Sequence, residues 1–227
     1  MPIHHYTLVR SKRKTLAIHI SKDAVVEVRA PLHLPAQHID RFVASKAAWI
    51  EDKLAKRRDI KREKAAFKLD YGDSLRLRGK RYPLVHRDGR KAGFDGECFY
   101  LPSGMPADVI KANVVQIYKL IAKSVIAEKI EAFQAVLSVK PAGFHITNAR
   151  TRWGSCSAKK SLNFSWRLMM ADDEVIDYIV VHELAHIREL NHSSRFWNIV
   201  ENVMPDYKTR TQKLKQLQAA LATQDWD

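Results

Sequence analysis

The sequence predicts an α+β protein in which short strands dominate the first part and helices dominate the second. Segments before residue 102 alternate apolar and polar residues, whereas the later segments repeat their apolar residues with the period of a helix. The run Pro102-Ser-Gly-Met-Pro106 between them is rich in turn-forming residues. We therefore predict a basic, β-rich part with one or two helices at residues 1–102 and a separate domain at residues 103–227.

The strands of the first part are recognised by alternation between turn residues, the pattern of a half-buried strand. The segments with this pattern are residues 5–10, 14–20, 24–30, 74–78, 81–85 and 98–101. We expect the first three to pair as antiparallel strands. Pro35 opens a predicted helix, because proline is favoured at the first helical position. The residues predicted to form its buried stripe are Ile39, Phe42, Val43, Trp49, Ile50 and Leu54.

The second part begins with a long predicted helix over Ala107–Leu137. Phe144–Ile146 and Leu162–Leu168 alternate as strands do, and we expect the edge strand of a substrate cleft within Ser161–Leu168. Asp172 or Asp173 is suited to cap the next helix, since acidic residues favour the first turn. A last helix is predicted over residues 208–222.

The helix after Asp173 carries His182-Glu-Leu-Ala-His186, in which two histidines are spaced i and i+4. Such a pair lies on one helix face and reaches a single metal ion. Glu183 sits about 100° round the helix, where it addresses a metal-bound water rather than the metal. The flanking residues Val180 and Val181 are apolar, so a glutamate there is costly to bury without such a role. This pattern predicts a metal-dependent hydrolase with Glu183 as its base.

His192 is the expected third ligand. A continuous helix would carry it off the metal-facing side, so the chain must break between His186 and His192. Asn191 is the predicted break, because asparagine tolerates the left-handed conformation. Ser193 or Ser194 can then cap a new helix.

Two known classes of zinc peptidase differ in the residue that supplies the third zinc ligand. Metzincins use the same histidine spacing with glycine at the turn, where this chain has Glu189. Gluzincins take a glutamate from a downstream helix, which makes Glu201 the competing ligand. It lies closer to His186 than those enzymes usually place it, so we favour His192.

Composition limits the class of protein. A chain of 227 residues can bury a sizeable core, and it has no apolar run that would span a bilayer. We expect no membrane association. It has two cysteines, Cys98 and Cys156, so we expect a reducing cytoplasm and neither a disulfide framework nor a cysteine-built zinc finger.

The net charge of +14 is uneven along the chain. Residues 1–69 hold 16 Lys and Arg against 7 Asp and Glu, whereas residues 150–227 hold 11 against 10. The excess concentrates in Arg10–Lys14 and Lys53–Lys68. Such clusters can be an electrostatic footprint for nucleic acid or another acidic partner, and the alternative is a solvated helix face.

A string of motifs resembles the YgjP-like metallopeptidase family. The motifs are Arg152-Trp-Gly-Ser-Cys156, Leu162-Asn163, Arg167-Leu168, Tyr178, Val181–His186, Asn191-His-Ser193, Phe196-Trp197 and Pro205-Asp-Tyr207, with Arg10–Arg13, Val28–Pro31 and Trp49-Ile50 in the first part. The resemblance implies a zincin-like catalytic fold related to the SprT-like proteases. It also implies zinc ligands at His182, His186 and His192, with Glu183 as the general base.

The predicted reaction is hydrolysis of a polypeptide substrate by a zinc-bound water whose pKa the Zn²⁺ ion lowers. Arg152, Tyr207 and His145 are the candidates that could stabilise the oxyanion. The alternative is a nucleic-acid-associated protein, whose basic first part docks and whose zinc site is structural or acts on DNA-bound proteins.

Overall fold

The structure is a computed structural model that describes residues 5–21 and 23–226. Residues 1–4, 22 and 227 of the predicted ranges lie outside this description. The chain divides into two compact units. The first unit holds the described residues up to Phe67 together with Ala222–Asp225, and the second holds Lys68–Leu221 together with Trp226.

The first unit is a three-stranded sheet with two helices. Its elements are β1 (Thr7–Ser11), β2 (Ala17–Ile20), β3 (Val26–Pro31), α1 (Ala36–Ser45) and α2 (Ala47–Ala66). The sheet order is β1-β3-β2. Strand β3 alternates buried and less buried residues, and its Val28 and Ala30 pack with Ile39 and Ile50 in the core.

One predicted pairing in this sheet is wrong. β2 pairs antiparallel with β3, but β1 pairs with β3 in parallel. Two parallel strands need a crossover connection, and here β2 and its flanking loops supply it. Arg10 at the end of β1 donates to the backbone oxygens of Pro31, Leu32 and Leu34, which anchors this parallel pair.

The second unit contains two sheets and four long helices. Its elements are β4 (Ser74–Leu77), β5 (Lys80–Arg87), β6 (Gly93–Phe94), β7 (Phe99–Pro102), α3 (Ala107–Val136), β8 (Gly143–Thr147), β9 (Gly154–Cys156), β10 (Ser161–Ser165), a 3-10 helix (Trp166–Met170), α4 (Asp173–Ala185), α5 (Ser194–Val203) and α6 (Tyr207–Leu221). The long helix α3 was predicted within one residue at its C-terminal end. The protein is thus of mixed α+β class.

The β4-β5-β7-β6 sheet packs against α3. The Tyr118 hydroxyl on α3 donates to the backbone oxygen of Arg76 at 2.7 Å, and the Tyr118 ring lies 5.3 Å from that of Phe99. The second unit therefore begins at Lys68 rather than at the predicted residue 103. The reason is that strands β4–β7 pack in the same core as the helices that follow them.

The second sheet has the order β8-β10-β9, which corrects the predicted edge strand. β10 lies in the centre, parallel to β8 and antiparallel to β9, so Ser161–Ser165 offers no free edge. The strand also stops at Ser165, and Trp166–Met170 form a fully buried 3-10 helix. β9, which the sequence analysis did not predict, is the edge strand that contacts α4.

No helix among the described residues is long and apolar enough to cross a membrane.

Candidate metal centre

Helix α4 carries His182 and Glu183 through the interior of the second unit. Val180, Val181, Leu184 and Ala185 around them are buried, as the apolar run predicts. Asp172 occupies the N-cap position, but its side chain makes no bond to the helix; it accepts from Arg76 at 2.9 Å instead. The position of the helix therefore depends more on the packing of its apolar residues than on its N-terminal cap.

The loop between α4 and α5 brings His192 back towards α4. The helix ends earlier than predicted: Ala185 is its last residue, and the backbone oxygen of Ala185 accepts from the amides of both Arg188 and Glu189 at 3.0 Å. Asn191 is not among the residues with positive φ, so the predicted left-handed break at that position is wrong. Its Oδ1 accepts from the Ser193 amide at 3.0 Å.

Ser193 caps helix α5, as predicted. Its Oγ accepts from the amide of Phe196 at 3.4 Å. His192 thus lies immediately before a capped helix start, and this placement directs its ring towards α4.

The structure brings the three predicted histidines together. One ring nitrogen from each of His182, His186 and His192 lies within 4.8 Å of the others, and Nε2 of His192 is 3.0 Å from Nε2 of His182. Nitrogens on one tetrahedral zinc ion lie about 3.4 Å apart. The competing ligand Glu201 is exposed and does not belong to this cluster.

Neighbouring groups contact the Nδ1 atoms of two of the imidazoles and the faces or edges of all three rings. Nδ1 of His186 lies 3.0 Å from the backbone oxygen of Glu189, and Nδ1 of His182 lies 3.5 Å from the Tyr178 hydroxyl. The ring of Phe196 is buried, and its centroid is 4.5 to 4.8 Å from the centroid of each of the three imidazole rings. Partners at Nδ1 leave Nε2 available and orient the ring, as in most histidine metal sites.

Burial also sets the protonation of the site. It lowers the pKa of His182 to about 3, with the neighbouring His186 and His192 adding to the effect. Burial lowers the pKa of His186 as well, against the opposing effect of the Glu189 carbonyl. Both imidazoles are neutral at pH 7, which is the form that binds a metal.

Glu183 lies in a tight, apolar recess beside these rings. Its side chain is 5% exposed, and its Oε2 is buried without a hydrogen-bond partner. Burial raises the pKa of Glu183 to about 8, while the positive charge of Arg152 opposes this shift. A Cβ atom at Gly154 would lie 2.6 Å from both Cγ and Oε1 of Glu183. The absence of a side chain on β9 therefore makes room for the carboxylate.

The other candidate residues lie in different surroundings. Arg152 is exposed and acts on Glu183 through its charge. The Tyr207 ring stacks on Trp197, 5.2 Å away, and Trp197 in turn stacks on His192. His145 lies on β8, at the edge of the sheet opposite to β9.

Cys156 is outside the histidine cluster. Burial raises the pKa of its thiol, which disfavours the thiolate that would bind a metal.

Sequence reasoning missed three residues of the site. Gly154, Tyr178 and Phe196 appear in the sequence analysis only as parts of the family motifs. The signal for Phe196 was its place one turn after the predicted cap, since a side chain there faces the preceding helix. Gly154 had no such signal, because its role depends on a contact with a helix distant in sequence.

These residues fit a divalent transition metal. Three converging imidazole nitrogens match the donor set of a catalytic zinc site. The unpartnered Oε2 of Glu183 is a buried acceptor that a polarised water would satisfy.

Comparison with known proteins identifies the family. The family model described as YgjP-like, metallopeptidase domain, matches residues 14–217 of the 227-residue chain. The chain belongs to the YgjP-like metallopeptidase family. The resemblance inferred from the sequence motifs is thereby confirmed.

This YgjP-like chain is 31% identical over 65 residues to the UTP pyrophosphatase of Escherichia coli (strain K12). The aligned region covers 29% of this chain and 39% of that protein, so the match spans less than half of the relative.

Two solved structures show limited similarity. The metallopeptidase zymogen of Pyrococcus abyssi abylysin is 24% identical, with a TM-score of 0.38, and the match covers 40% of this chain and 92% of that one. The metallopeptidase zymogen of Methanocaldococcus jannaschii jannalysin is also 24% identical, with a TM-score of 0.37, and the match covers 40% of this chain and 94% of that one.

Proposed function

We propose that this YgjP-like protein is a zinc-dependent peptidase with a zincin-like catalytic region. The observation that carries the proposal is the convergence of three imidazoles beside a buried, unpartnered glutamate. His182, His186 and His192 would hold the ion. When bound, zinc would acidify a water molecule and polarise the scissile carbonyl.

Glu183 would act as the general base. Its carboxylate would take a proton from the attacking water and then deliver it to the leaving amine. The recess at Gly154 holds the carboxylate in position, and the charge of Arg152 favours its ionised form. Arg152, whose charge acts on Glu183, and Tyr207, which stacks on Trp197, are the candidate donors to the oxyanion.

The substrate would lie along β9. Among the described strands, β9 pairs with β10 alone, and it contacts the helix that carries Glu183. An extended peptide could add to this edge by main-chain hydrogen bonds, which would bring its carbonyl to the histidines. This role replaces the one expected for Ser161–Leu168.

A second candidate reaction is hydrolysis of a nucleoside triphosphate. Its support is the similarity to the Escherichia coli relative named UTP pyrophosphatase and the exposed guanidinium of Arg152 beside Glu183, which suits a phosphate oxygen. The same three histidines and the same glutamate would serve either reaction.

One experiment separates these reactions and tests the ligands. The metal-free protein is reloaded with zinc and assayed with a casein or peptide-library substrate and, in parallel, with UTP. We expect zinc-dependent peptide cleavage that His192→Ala abolishes and Glu201→Ala leaves intact. If the protein cleaves UTP but no peptide, the second reaction is the correct one. If Glu201→Ala loses zinc and His192→Ala keeps it, the proposed set of ligands is wrong.

A further inference from the structure

The first unit exposes an aromatic side chain beside an open cavity. Trp49, in the first turn of α2, is 44% exposed, so the prediction that it is buried is wrong. It lines a cavity of about 260 Å³ together with Ile18, Phe42 and Lys46. Its lining is apolar and aromatic except for Lys46. A flat ring with a negative charge attached would match both features.

A row of cations continues from Trp49 along α2. Lys53, Arg57 and Lys61 follow it at intervals of four residues, so the four side chains form one ridge of the helix. We call these four residues the α2 ridge. All four are exposed. At 1.5 Å per residue, its three cations extend over about 12 Å.

The charges of α2 are sorted around the helix. At 100° per residue, the three cations of the ridge fall within an arc of about 80°. The four acidic residues of the helix lie outside that arc: they are Glu51, Asp52, Asp59 and Glu63. Among the residues of α2 itself, the ridge is therefore a strip of positive charge.

Three other cations of α2 have carboxylate partners. Lys56 pairs with Asp52 at 2.9 Å, Arg62 pairs with Asp59 at 3.0 Å, and Lys64, which falls within the same arc as the ridge, pairs with Asp225 at 3.3 Å. Within the part of the chain that the structure describes, Lys53, Arg57 and Lys61 have no such partner. Like charges at i and i+4 repel each other on a helix, and a polyanion would relieve that repulsion.

We propose that the α2 ridge binds single-stranded nucleic acid, with one base stacked on Trp49 in the cavity and successive phosphates on Lys53, Arg57 and Lys61. Aromatic platforms next to a positive groove are the usual means of binding single strands without sequence preference. A duplex offers no unstacked base to the cavity, and a peptide made of Asp and Glu alone offers no ring to Trp49. This activity lies beyond the proposed peptidase reaction and is independent of it.

Binding of a fluorescein-labelled 20-residue oligothymidylate, followed by anisotropy with the full chain, tests the cations. Reversing Lys53, Arg57 and Lys61 to Glu should weaken binding at least about tenfold and reduce the salt slope by about 2. The matched control reverses Lys56, Arg58 and Arg62 to Glu, which changes the net charge equally on other faces of α2. Circular dichroism establishes that both variants are folded. Equal weakening in the two variants would overturn the proposal, because net charge alone would explain it.

An abasic oligonucleotide of the same length tests the stacked base. Wild type should bind it about tenfold more weakly than oligothymidylate, whereas Trp49→Ala should bind both strands alike. Trp49→Phe, which keeps an aromatic ring, should restore most of the difference. Equal affinity of wild type for both strands would overturn the proposal. So would tighter binding of duplex DNA, polyglutamate or anionic vesicles than of the single strand.

Discussion

The recess around Glu183 depends on the residue at position 154. Gly154 lies on β9 with ordinary backbone angles, so any residue could follow the strand there. What excludes a larger residue is the contact with Glu183, because an added Cβ would lie 2.6 Å from its Cγ. The glutamate is buried among apolar residues of α4 and has little freedom to move away.

Gly154→Ala should therefore displace the carboxylate while leaving the three histidines in place. We expect hydrolysis to fall at least about tenfold with unchanged zinc content, because a small misplacement of a catalytic group has a large effect on rate. Steady-state kinetics and metal analysis measure the two quantities. Ser155→Ala, one position along the same strand, is the control and should retain activity. A Gly154→Ala protein as active as wild type would remove the proposed role of this recess.

At the scale of elements, the start of helix α5 positions the third imidazole. Ser193 caps the helix directly after His192. Ser193→Ala should lower the free energy of unfolding by about 1 kcal/mol, the usual effect of losing such a cap. It should also weaken zinc binding, because His192 loses its fixed place. Denaturant unfolding and a competition titration with a chelator measure these effects. Ser194→Ala, at the first residue of the helix, should change neither; an equal loss there would contradict the role of the cap.

The start of helix α4 is tied to the β4–β5 hairpin by an ion pair. Arg78 in the hairpin turn donates to both carboxylate oxygens of Asp173, at 2.6 and 2.7 Å. This contact holds the pKa of Asp173 below its usual value. A carboxyl group with a lowered pKa stabilises the fold above its unfolded pKa, and this contribution is lost as the pH falls through the folded value.

Asp173→Asn should therefore destabilise the protein at pH 7, and the difference from wild type should shrink as the pH falls from about 5 to about 2. Urea unfolding at several pH values measures the difference. Asp206→Asn is a comparison in the same unit, where Arg210 pairs with the Asp206 carboxylate at 3.0 Å and also lowers its pKa. A stability difference for Asp173→Asn that stays constant with pH would contradict the account.

The sequence predicted elements better than their partners. Helix α3 and the histidine-bearing helix were predictable because their apolar residues repeat over many turns. Strand β9 has three residues, which are too few to show an alternation of apolar and polar residues. Strand β1 pairs in parallel with β3, which follows β2 in the chain, and the sequence pattern of β1 does not indicate this partner. The histidine cluster followed from spacing, whereas the Gly154 contact joins residues far apart in the chain. The helix end at Ala185 differs from the predicted break at Asn191, because backbone bonds of the following turn, rather than a special residue, end the helix.

At the scale of the whole molecule, metal binding should couple to stability. A ligand that binds the folded chain alone raises the free energy of unfolding by about 4 kcal/mol at a thousandfold excess over its Kd. We expect a rise of that order on adding zinc to the metal-free protein, measured by thermal or urea unfolding. His186→Ala should abolish it. A zinc-induced rise of the same size in His186→Ala would place the bound ion at another site.

The central claim is that Glu183 performs the hydrolysis while the histidines hold the metal. The most direct measurement pairs zinc content with peptide cleavage in wild type and Glu183→Gln. Glutamine has nearly the same shape but cannot accept the proton. We predict one zinc ion per chain in both proteins and a loss of turnover between about 10² and 10⁴ in the variant. Cleavage retained within a few-fold of wild type by a zinc-loaded Glu183→Gln protein would contradict the claim.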